Sequence, residues 1–464
     1  VRVSLEAGKK GWLSVLAMLE QLQASSPDRL QLSVARIVLL LRLDEEEAAR
    51  ELYRSDERIA ASPIGPLIAM LVREVPRGAR ALVICPDIRG QIHDLPAEER
   101  LAEAVGLAHA IGIEVAESYI QPIRDVRPAT LFGAGQVEQI GTQAELAEAE
   151  LIIVDGALTA IQQRTLEEKL ARKVIDRTGL ILEIFGERAA TAEGRLQVEL
   201  AHLDYQASRL VRSWTHLERQ RGGFGFLGGP GETQIEADRR MIRSRMARLR
   251  RDLEQVRKTR ALHRERRTRA PWPVIALVGY TNAGKSTIFN RLTGADVMAE
   301  DLLFATLDPT MRAIGLPGVE KAILSDTVGF ISDLPTQLVA AFRATLEEVT
   351  NADLILHVRD IANPASAAQK TQVLEVLRGL GVVSGGEEGD EPVSSIPMLE
   401  VWNKWDLLAD DARKDLAARA AEDDNVVPLS AETGFNMDAL ETRIGDALTR
   451  EASVCEFVLP TSAG

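Results

Sequence analysis

Short apolar runs alternate with helical patterns along most of the chain, and this alternation predicts an α/β protein. Before residue 186, buried strands are predicted at 81–85, 113–117 and 151–154. A helix is predicted at about 97–111, and another is expected to begin at Gly133 and Gly135. Strands that alternate with helices form mostly parallel sheets. We therefore expect residues 79–185 to form a small parallel α/β domain, called the front domain below.

Residues 186–270 show a different pattern, in which apolar residues recur at alternating steps of three and four. The first series is Leu196, Leu200, Leu203, Ala207, Leu210, Trp214 and Leu217, and the second is Ile242, Met246, Leu249, Leu253 and Val256. This spacing puts apolar side chains on one face of each helix, so the two faces should meet. A long antiparallel helical hairpin is predicted, with the glycine-rich segment Gly222–Gly231 at its tip.

Residues 271–450 again alternate strands with helices and predict a mostly parallel sheet with helices on both faces. The apolar run 274–278 leads into a glycine loop, Gly279–Ser286, that begins a helix. Its glycines let backbone N–H groups turn toward phosphate oxygens, Lys285 supplies a charge for the β and γ phosphates, and Ser286 can bind Mg²⁺. A plain glycine turn is the alternative for this motif taken alone.

Further strand ends carry motifs in the order typical of guanine-nucleotide sites. The strand before Asp326 ends in Asp-x-x-Gly, whose carboxylate can hold Mg²⁺ through water and whose Gly329 N–H can sense the γ-phosphate. Another strand ends in Asn403, Lys404 and Asp406, and Asp406 can accept from guanine N1–H and the 2-amino group. Adenine lacks both donors, so a buried Asp406 would stay unpaired beside it. This series predicts a P-loop GTPase domain.

The remaining members complete a predicted nucleotide and metal site. Ala431, after Ser430, can donate its N–H to guanine O6, and Thr306 is preferred over Thr310 for the Mg²⁺ shell, although spacing does not decide between them. The predicted nucleotide-binding residues are Gly279, Tyr280, Thr281, Asn282, Ala283, Gly284, Lys285, Ser286, Thr287, Asp326, Gly329, Asn403, Lys404, Asp406, Ser430 and Ala431. The predicted catalytic residues are Lys285, Thr306 and Gly329, and the predicted Mg²⁺ ligands are Ser286, Thr306 and Asp326.

Phe330 stands where many GTPases have a glutamine that positions the attacking water. An apolar ring cannot orient water, so GTP hydrolysis should be slow until a partner, a neighbouring domain or an ion supplies the missing group. Asn282 offers one source, because an Asn at this place occurs in GTPases that use K⁺ beside the phosphates. A small loop-capping role is the alternative, and equal GTP turnover in KCl and NaCl would exclude the ion.

Charge is distributed unevenly along the chain. The formal net charge is −14, yet residues 239–269 hold fourteen Arg or Lys and three acids, a local excess of eleven positive charges. A solvated helix face is the usual interpretation, but such an excess repels itself without a polyanion, and RNA is the leading candidate. Phe224 and Phe226 in the glycine tip could stack on unpaired bases or pack back onto the helices.

Composition limits the class of protein. The only cysteines are Cys85 and Cys455, which excludes a disulfide framework and a cysteine-based zinc site. The most apolar run, 34–43, contains two arginines and is too short to cross a bilayer, so a buried helix is predicted there. Residues 1–78 read as amphipathic helices, for example 12–22 and 44–53, without a chemical motif. A cytoplasmic protein without a membrane span is expected.

Six stretches give the chain a specific resemblance. They are Val174–Phe185, Gly222–Gln234, Gly279–Ser286, Phe304–Pro309, Asp326–Ile331 and Asp333–Pro335. Through them the chain resembles the HflX family of ribosome-associated GTPases over about residues 79–450. The resemblance implies binding to the large ribosomal subunit, with the glycine tip reaching toward the peptidyl-transferase region, and nucleotide-dependent splitting or rescue of stalled ribosomes. It also implies an ATP site in the front domain, which the Gly133 and Gly135 pair supports only weakly.

The expected organisation is a helical extension at 1–78, the front domain at 79–185, the hairpin at 186–270, the GTPase domain at 271–450 and a tail at 451–464. The leading hypothesis is a monomeric, Mg²⁺-dependent GTPase that contacts the large ribosomal subunit and its RNA through Gly222–Gly231 and the helix Arg239–Arg269. One rival is a GTP-gated RNA-binding switch with negligible catalysis. The other is an RNA-remodelling factor that uses a second, ATP-binding site.

Overall fold

A computed structural model of the chain describes residues 30–42, 52, 78–220, 240–256, 258, 272–295, 303–304, 306–307, 309–333, 346, 348–384 and 393–450. The helix predicted at 12–22, nearly all of that at 44–53, the glycine tip and the tail 451–464 lie outside these residues. The first described element is helix α1, Leu30–Arg42, in which Ile37, Leu39 and Leu40 are buried. Within the described residues, no helix is long and apolar enough to cross a membrane.

The front domain is a four-stranded parallel sheet with strand order β2-β1-β3-β4. Its elements are β1 (Arg80–Ile88), α2 (Ala97–Ala110), β2 (Glu114–Ile123), α3 (Ala134–Leu146), β3 (Leu151–Val154), α4 (Ala160–Leu170), β4 (Lys173–Asp176) and α5 (Arg177–Arg188). The predicted parallel α/β fold is confirmed. Strand β2 runs six residues beyond its predicted end: it is an edge strand, and its residues 118–123, which mix polar and apolar side chains without a regular period, continue the pairing with β1.

Two helices follow the front domain, α6 (Ala192–Gln220) and α7 (residues 240–256). The predicted apolar faces meet over their described part: Leu203 packs with Ile242, Met246 and Leu249, and Leu196, Leu200 and Ala207 border this cluster. Arg245 of α7 forms an ion pair with Glu199 of α6, with 2.6 Å between Nη2 and Oε1. Helix α6 is also fastened to the front domain, because the Tyr205 hydroxyl donates to Asp176 over 2.6 Å.

The GTPase domain contains a six-stranded sheet of order β12-β11-β8-β5-β7-β6, in which only the β6–β7 pair is antiparallel. Its elements are β5 (Val274–Gly279), α8 (Lys285–Thr293), β6 (Thr310–Leu316), β7 (Val319–Asp326), β8 (Leu354–Asp360), α9 (Ser366–Gly379), β9 (Val383–Ser384), β10 (Val393–Ser394), β11 (Met398–Asn403), α10 (Asp410–Glu422), β12 (Val426–Pro428) and α11 (Met437–Thr449). The central strands β5 and β8 are buried almost throughout, as expected for parallel strands covered by helices on both faces.

One hydrophobic cluster spans the front domain and the GTPase domain. It joins Leu107 of α2, Leu180 and Phe185 of α5 with Phe304 and Phe330 of the GTPase domain. Burial of large apolar side chains is the main source of stability in such contacts. The front domain therefore packs directly on the GTPase domain, which the sequence pattern alone, showing two separate alternations of strands and helices, did not predict.

Candidate functional site

The phosphate loop joins the end of β5 to the start of α8, and two of its glycines are required by close packing. Gly284 has φ +93°, and a Cβ there would collide with Nδ2 of Asn403. A Cβ on Gly279 would collide with the carbonyl oxygen of Val358 in β8. Only glycine lets the backbone approach its neighbours this closely, so the loop is held between β8 and the Asn403 loop.

Lys285 begins α8 and is buried beneath the phosphate loop. Its Nζ donates to the carbonyl oxygens of Gly279 and Tyr280, over 3.1 and 2.8 Å. Burial lowers the pKa of Lys285 to about 8, although the nearby Asp326 opposes this shift. The buried ammonium group is a strong local charge next to the backbone N–H groups of the loop.

Three oxygen-bearing side chains converge at the predicted metal position. The Ser286 and Thr306 hydroxyls both donate to Oδ2 of Asp326, over 2.7 and 2.9 Å, and the two hydroxyl oxygens are 3.0 Å apart. Two neighbouring ligands of octahedral Mg²⁺, each about 2.1 Å from the ion, lie about 3.0 Å from one another. The spacing of Ser286 and Thr306 therefore fits Mg²⁺. Thr310 instead pairs within the sheet, opposite Asp326.

Asp326 is fully buried, and its Oδ1 has no hydrogen-bond partner. Burial raises the pKa of Asp326 above its ordinary value, although Lys285, Ser286 and Thr306 act in the opposite direction. A buried oxygen without a partner is unfavourable unless a ligand or water satisfies it. The orphaned oxygen is thus a second feature that fits a hydrated cation. No group of three His, Cys, Asp or Glu side chains able to hold a metal occurs within the described residues.

The segment after Asp326 lies directly on the phosphate loop. The N–H of Phe330 donates to the Gly279 carbonyl over 3.1 Å, and the N–H of Thr281 donates to the Phe330 carbonyl over 2.7 Å. A Cβ on Gly329 would lie 2.8 Å from Cα of Thr281 and 3.0 Å from Nζ of Lys285, so glycine is needed here as well. The Phe330 ring is buried in the cluster shared with the front domain.

Asn403 connects three loops at the same edge of the sheet. Its Nδ2 donates to the Ala283 carbonyl over 2.8 Å, and its Oδ1 accepts from the Ala431 N–H over 2.9 Å. The Ala431 N–H, predicted to face guanine O6, is therefore engaged by Asn403 in this arrangement. Lys404 forms an ion pair with Asp360, with 2.9 Å between Nζ and Oδ2.

Asp406 lies in a short 3₁₀ turn after β11 and is exposed. Our expectation of a buried Asp406 was wrong, because the side chain lies at the open rim of the loop rather than beneath it. Any penalty for an unpaired Asp406 would therefore arise only when a base covers it. Asn282 is also exposed and has φ +58°, a conformation that Asn tolerates better than most residues.

Arg291 is a member of this site that the motifs did not reveal. It lies on α8, and its guanidinium donates to the Ala431 carbonyl, over 2.6 Å, and to that of Glu432. The helix that follows the phosphate loop is thereby tied to the loop that carries Ser430 and Ala431. Arg291 belongs to no recognisable motif, so only its position on the exposed side of α8 could have suggested it.

Three family models match consecutive parts of the chain. One described as GTP-binding GTPase N-terminal matches residues 98–186, and one described as GTP-binding GTPase Middle Region matches residues 188–267. A third, described as 50S ribosome-binding GTPase, matches residues 274–392. The three matches run in order through the front domain, the hairpin and most of the GTPase domain.

Relatives match over most of their length. The GTPase HflX of Magnetococcus marinus is 51% identical over 364 residues, which are 78% of this chain and 81% of the relative. The GTPase HflX of Escherichia coli is 44% identical over 370 residues, which are 79% and 83% of the two chains. A solved structure of a GTP-binding protein from Sulfolobus solfataricus in complex with GDP covers 80% of this chain and 99% of its own, at 24% identity and a TM-score of 0.43. Sequence identity of this extent, over about 80% of both chains, makes this chain a member of the HflX family and a GTPase.

Proposed function

We propose that GTP binds at the carboxyl edge of the GTPase sheet, with its phosphates on the loop Gly279–Ser286 and its base against Asn403 and Asp406. The observation that carries this proposal is the Asn403 carboxamide, which bonds at once to Ala283 of the phosphate loop and to Ala431 of the last loop. Loops far apart in the sequence are thereby joined at one position. Ligands of parallel α/β sheets bind at this edge.

The side chains around the phosphate loop divide the chemistry among them. Lys285 places a buried positive charge beside the β and γ phosphates, and the Gly329 N–H senses the γ-phosphate. Ser286 and Thr306 would bind Mg²⁺ directly and Asp326 through water, and the ion would neutralise charge on the β and γ phosphates. Because the Phe330 ring is buried and apolar, it cannot position water, so hydrolysis is slow until another group reaches the site.

Replacing Asp406 by Asn tests the base site. The Asn amide keeps one acceptor oxygen and replaces the other with an N–H donor, so guanine keeps the N1–H contact and loses the 2-amino contact, while xanthine, which carries an oxygen at position 2, gains one. We expect the Kd of GTP to rise on the order of 10- to 100-fold and that of XTP to fall. Isothermal titration with GTP, XTP and ATP measures both changes.

Asp410→Asn is the matched control, because Asp410 is exposed on the next helix, α10. It should leave all three Kd values within about twofold of the wild-type protein. An Asp406→Asn protein that still prefers GTP over ATP and XTP to the wild-type extent would contradict the proposed base site.

We further propose that the protein is a monomer in the cytoplasm that binds the large ribosomal subunit and splits or rescues stalled ribosomes. The family model over residues 274–392 is described as 50S ribosome-binding GTPase, which supports this class of partner. The surface of α7 supports it too, since Arg240, Arg243, Arg250 and Arg251 are exposed. Such a basic face attracts RNA phosphates. The glycine tip Gly222–Gly231 would approach the peptidyl-transferase region.

Sedimentation through sucrose with isolated ribosomal subunits tests this partner. We expect the protein to migrate with the large subunit in GTP and not in GDP or without nucleotide. Replacing Arg243, Arg250 and Arg251 by Gln should weaken binding and reduce the slope of log K against log[salt] by about 2 to 3. Arg164→Gln, at an exposed position on the front domain, is the control. Binding that ignores both nucleotide and charge would contradict the proposal.

We also propose two further ligands, K⁺ near the phosphate loop and ATP in the front domain. K⁺ beside Asn282 would supply part of the missing charge, and it predicts faster GTP turnover in KCl than in NaCl. ATP in the front domain is favoured by a cavity of about 570 Å³ at the carboxyl edge of that sheet, lined in part by Pro86, Asp155 and Arg177. The cavity lies where connections diverge from β1 to its two neighbours, the usual ligand position in such sheets. RNA-dependent ATP turnover that survives Lys285→Ala would support this second site.

A further inference from the structure

The front domain contacts each of the three segments that surround the proposed phosphate and metal site. Tyr280 lies in the phosphate loop, Phe304 lies two residues before Thr306, and Ser332 lies three residues after Gly329. All three are buried against front-domain residues. The two segments that contain Phe304 and Ser332 are equivalent in position to the switch segments that contacts with the γ-phosphate order in GTPases. The front domain is therefore packed on the parts of the molecule that nucleotide binding would move.

Glu103 of α2 is the centre of the polar part of this contact. Its carboxylate accepts from the Tyr280 hydroxyl over 2.5 Å and from the Ser332 hydroxyl over 2.6 Å, and it also pairs with Arg177. The Glu103 and Arg177 side chains are only 8% and 5% exposed, so water does not compete effectively for these bonds. Two hydroxyls of the GTPase domain thus share one front-domain carboxylate.

Arg177 strengthens the same contact from the start of α5. Its Nη2 donates to both the carbonyl and the hydroxyl oxygen of Ser332, each over 2.9 Å, while Nη1 is held by Asp155 over 2.5 Å. Although burial acts in the opposite direction, Glu103 and Asp155 raise the pKa of Arg177 above its ordinary value. The guanidinium stays charged, and the Ser332 backbone is fixed as well as its side chain.

The apolar part of the contact holds the other segment. The Phe304 ring packs edge to face on Phe185 of α5, with 4.9 Å between ring centroids and 83° between planes. Leu303 lies against Gly106 of α2, where a Cβ would be 3.0 Å from the leucine Cδ1. Aromatic pairs of this geometry contribute beyond simple burial. The position of Phe304 in turn brings Thr306 beside Ser286 and Asp326.

We propose that the front domain is an intramolecular clamp for the GTP-binding conformation, with Glu103 as the positioning residue that joins the phosphate loop to the segment after Gly329. The proposal rests on the roles given above to Thr306 and Gly329. It adds that these residues reach their positions because Glu103, Arg177 and Phe185 hold the neighbouring Ser332, Tyr280 and Phe304.

The clamp should favour the binding of GTP over the binding of GDP. The arrangement that it stabilises has Thr306 beside Ser286 and Asp326, the other two residues proposed to hold Mg²⁺, and Gly329 next to Lys285, where both would serve a γ-phosphate. GDP has no γ-phosphate and gains little from this arrangement. By thermodynamic linkage, contacts that favour the GTP-binding conformation raise the affinity for GTP, and bound GTP strengthens the contacts by the same factor.

Glu103→Ala in the full chain tests the clamp. We expect the Kd of GDP to stay within about twofold of wild type, while the Kd of a β,γ-imido GTP analogue with Mg²⁺ rises about fivefold or more. Isothermal titration of both nucleotides gives the ratio. Glu98→Ala is the matched control, because Glu98 lies on the same helix but is exposed and outside the cluster. Equal loss of both affinities would overturn the clamp, whereas failure of the wild-type protein to bind either nucleotide would contradict the nucleotide site itself.

Tyr280→Phe and Ser332→Ala each remove one hydroxyl and are milder changes. Each should weaken binding of the analogue relative to GDP, and neither should add much to Glu103→Ala, since all act through one carboxylate. If Glu103→Ala does not fold, these two variants are sufficient to test the clamp. An unchanged ratio of affinities in the variants, equal shifts for both nucleotides, or effects that simply add would overturn the clamp.

Discussion

The front-domain sheet and the GTPase sheet both carry buried carboxylates at their carboxyl edges, but these carboxylates differ in how they are satisfied. In the front domain, Asp176 accepts from Leu158 N, Gly179 N, Tyr205 and Arg209. In the GTPase domain, Asp326 accepts through Oδ2 while its buried Oδ1 has no partner. The first carboxylate is saturated by the protein, and the second retains capacity for a ligand. A strand-end acid is thus a candidate ligand-binding group only when its hydrogen bonds are incomplete.

The largest expected effect comes from removing charge at the GTPase edge. Lys285→Ala should lower kcat/KM for GTP on the order of 100- to 1,000-fold, because a buried charge positioned at the phosphates is lost. Steady-state release of phosphate measures the effect. Lys414→Ala, at an exposed position on α10, should leave the rate unchanged. Hydrolysis by Lys285→Ala within tenfold of the wild-type rate would contradict the proposed role of Lys285 at the phosphates.

A smaller effect is expected at the saturated edge of the front domain. Asp176→Ala removes the acceptor for the start of α5 and for Tyr205, and it should lower the free energy of unfolding by about 2 to 3 kcal/mol. Urea denaturation measures this loss, with Asp125→Ala, at an exposed loop position, as the control. The affinity for GDP should stay within about twofold. Loss of GDP binding in Asp176→Ala without a loss of stability would contradict a purely structural role for Asp176.

The smallest effect is a dependence on pH. Because burial lowers the pKa of Lys285 to about 8, its cation is present below that pH and is lost as the pH rises through it. GTP requires the cation, so its Kd should be flat up to about pH 8 and should then rise toward tenfold per pH unit. Titrations between about pH 6.5 and 9 measure this. Lys285→Arg stays charged at all these values and should show no bend. The same bend in both proteins would assign it to another group.

The loops of the GTPase site could be predicted because their physical cause is local. The parallel strands of the GTPase sheet end at the same edge, so the residues that follow them must lie close together there. Thr306 could not be separated from Thr310 in this way. The choice depends on register: Thr310 pairs opposite Asp326 in β6, which leaves the preceding residues to bring Thr306 to Ser286.

Contacts between distant parts of the chain lay beyond the sequence pattern. Glu103 occurs in the stretch Ala97–Ala110, where it reads as one of several ordinary acids of an amphipathic helix. Its partners Tyr280 and Ser332 are 177 and 229 residues away. Arg291 is comparable, since its partners are two carbonyl oxygens that no side-chain motif can indicate. Asp406 shows the opposite error, because a correct motif did not reveal that its side chain is exposed.

The close fit between Gly284 and Asn403 limits which ligands the proposed site can accept. Because the carboxamide bonds to Ala283 on one side and to Ala431 on the other, the two ends of the nucleotide site cannot drift apart independently. At the proposed site, Asn403 would act as a rigid spacer that sets the separation between the base and the phosphate chain of a nucleotide. A ligand would therefore have to match the site in length as well as in its terminal groups. A free base or free pyrophosphate would contact only one of the two loops.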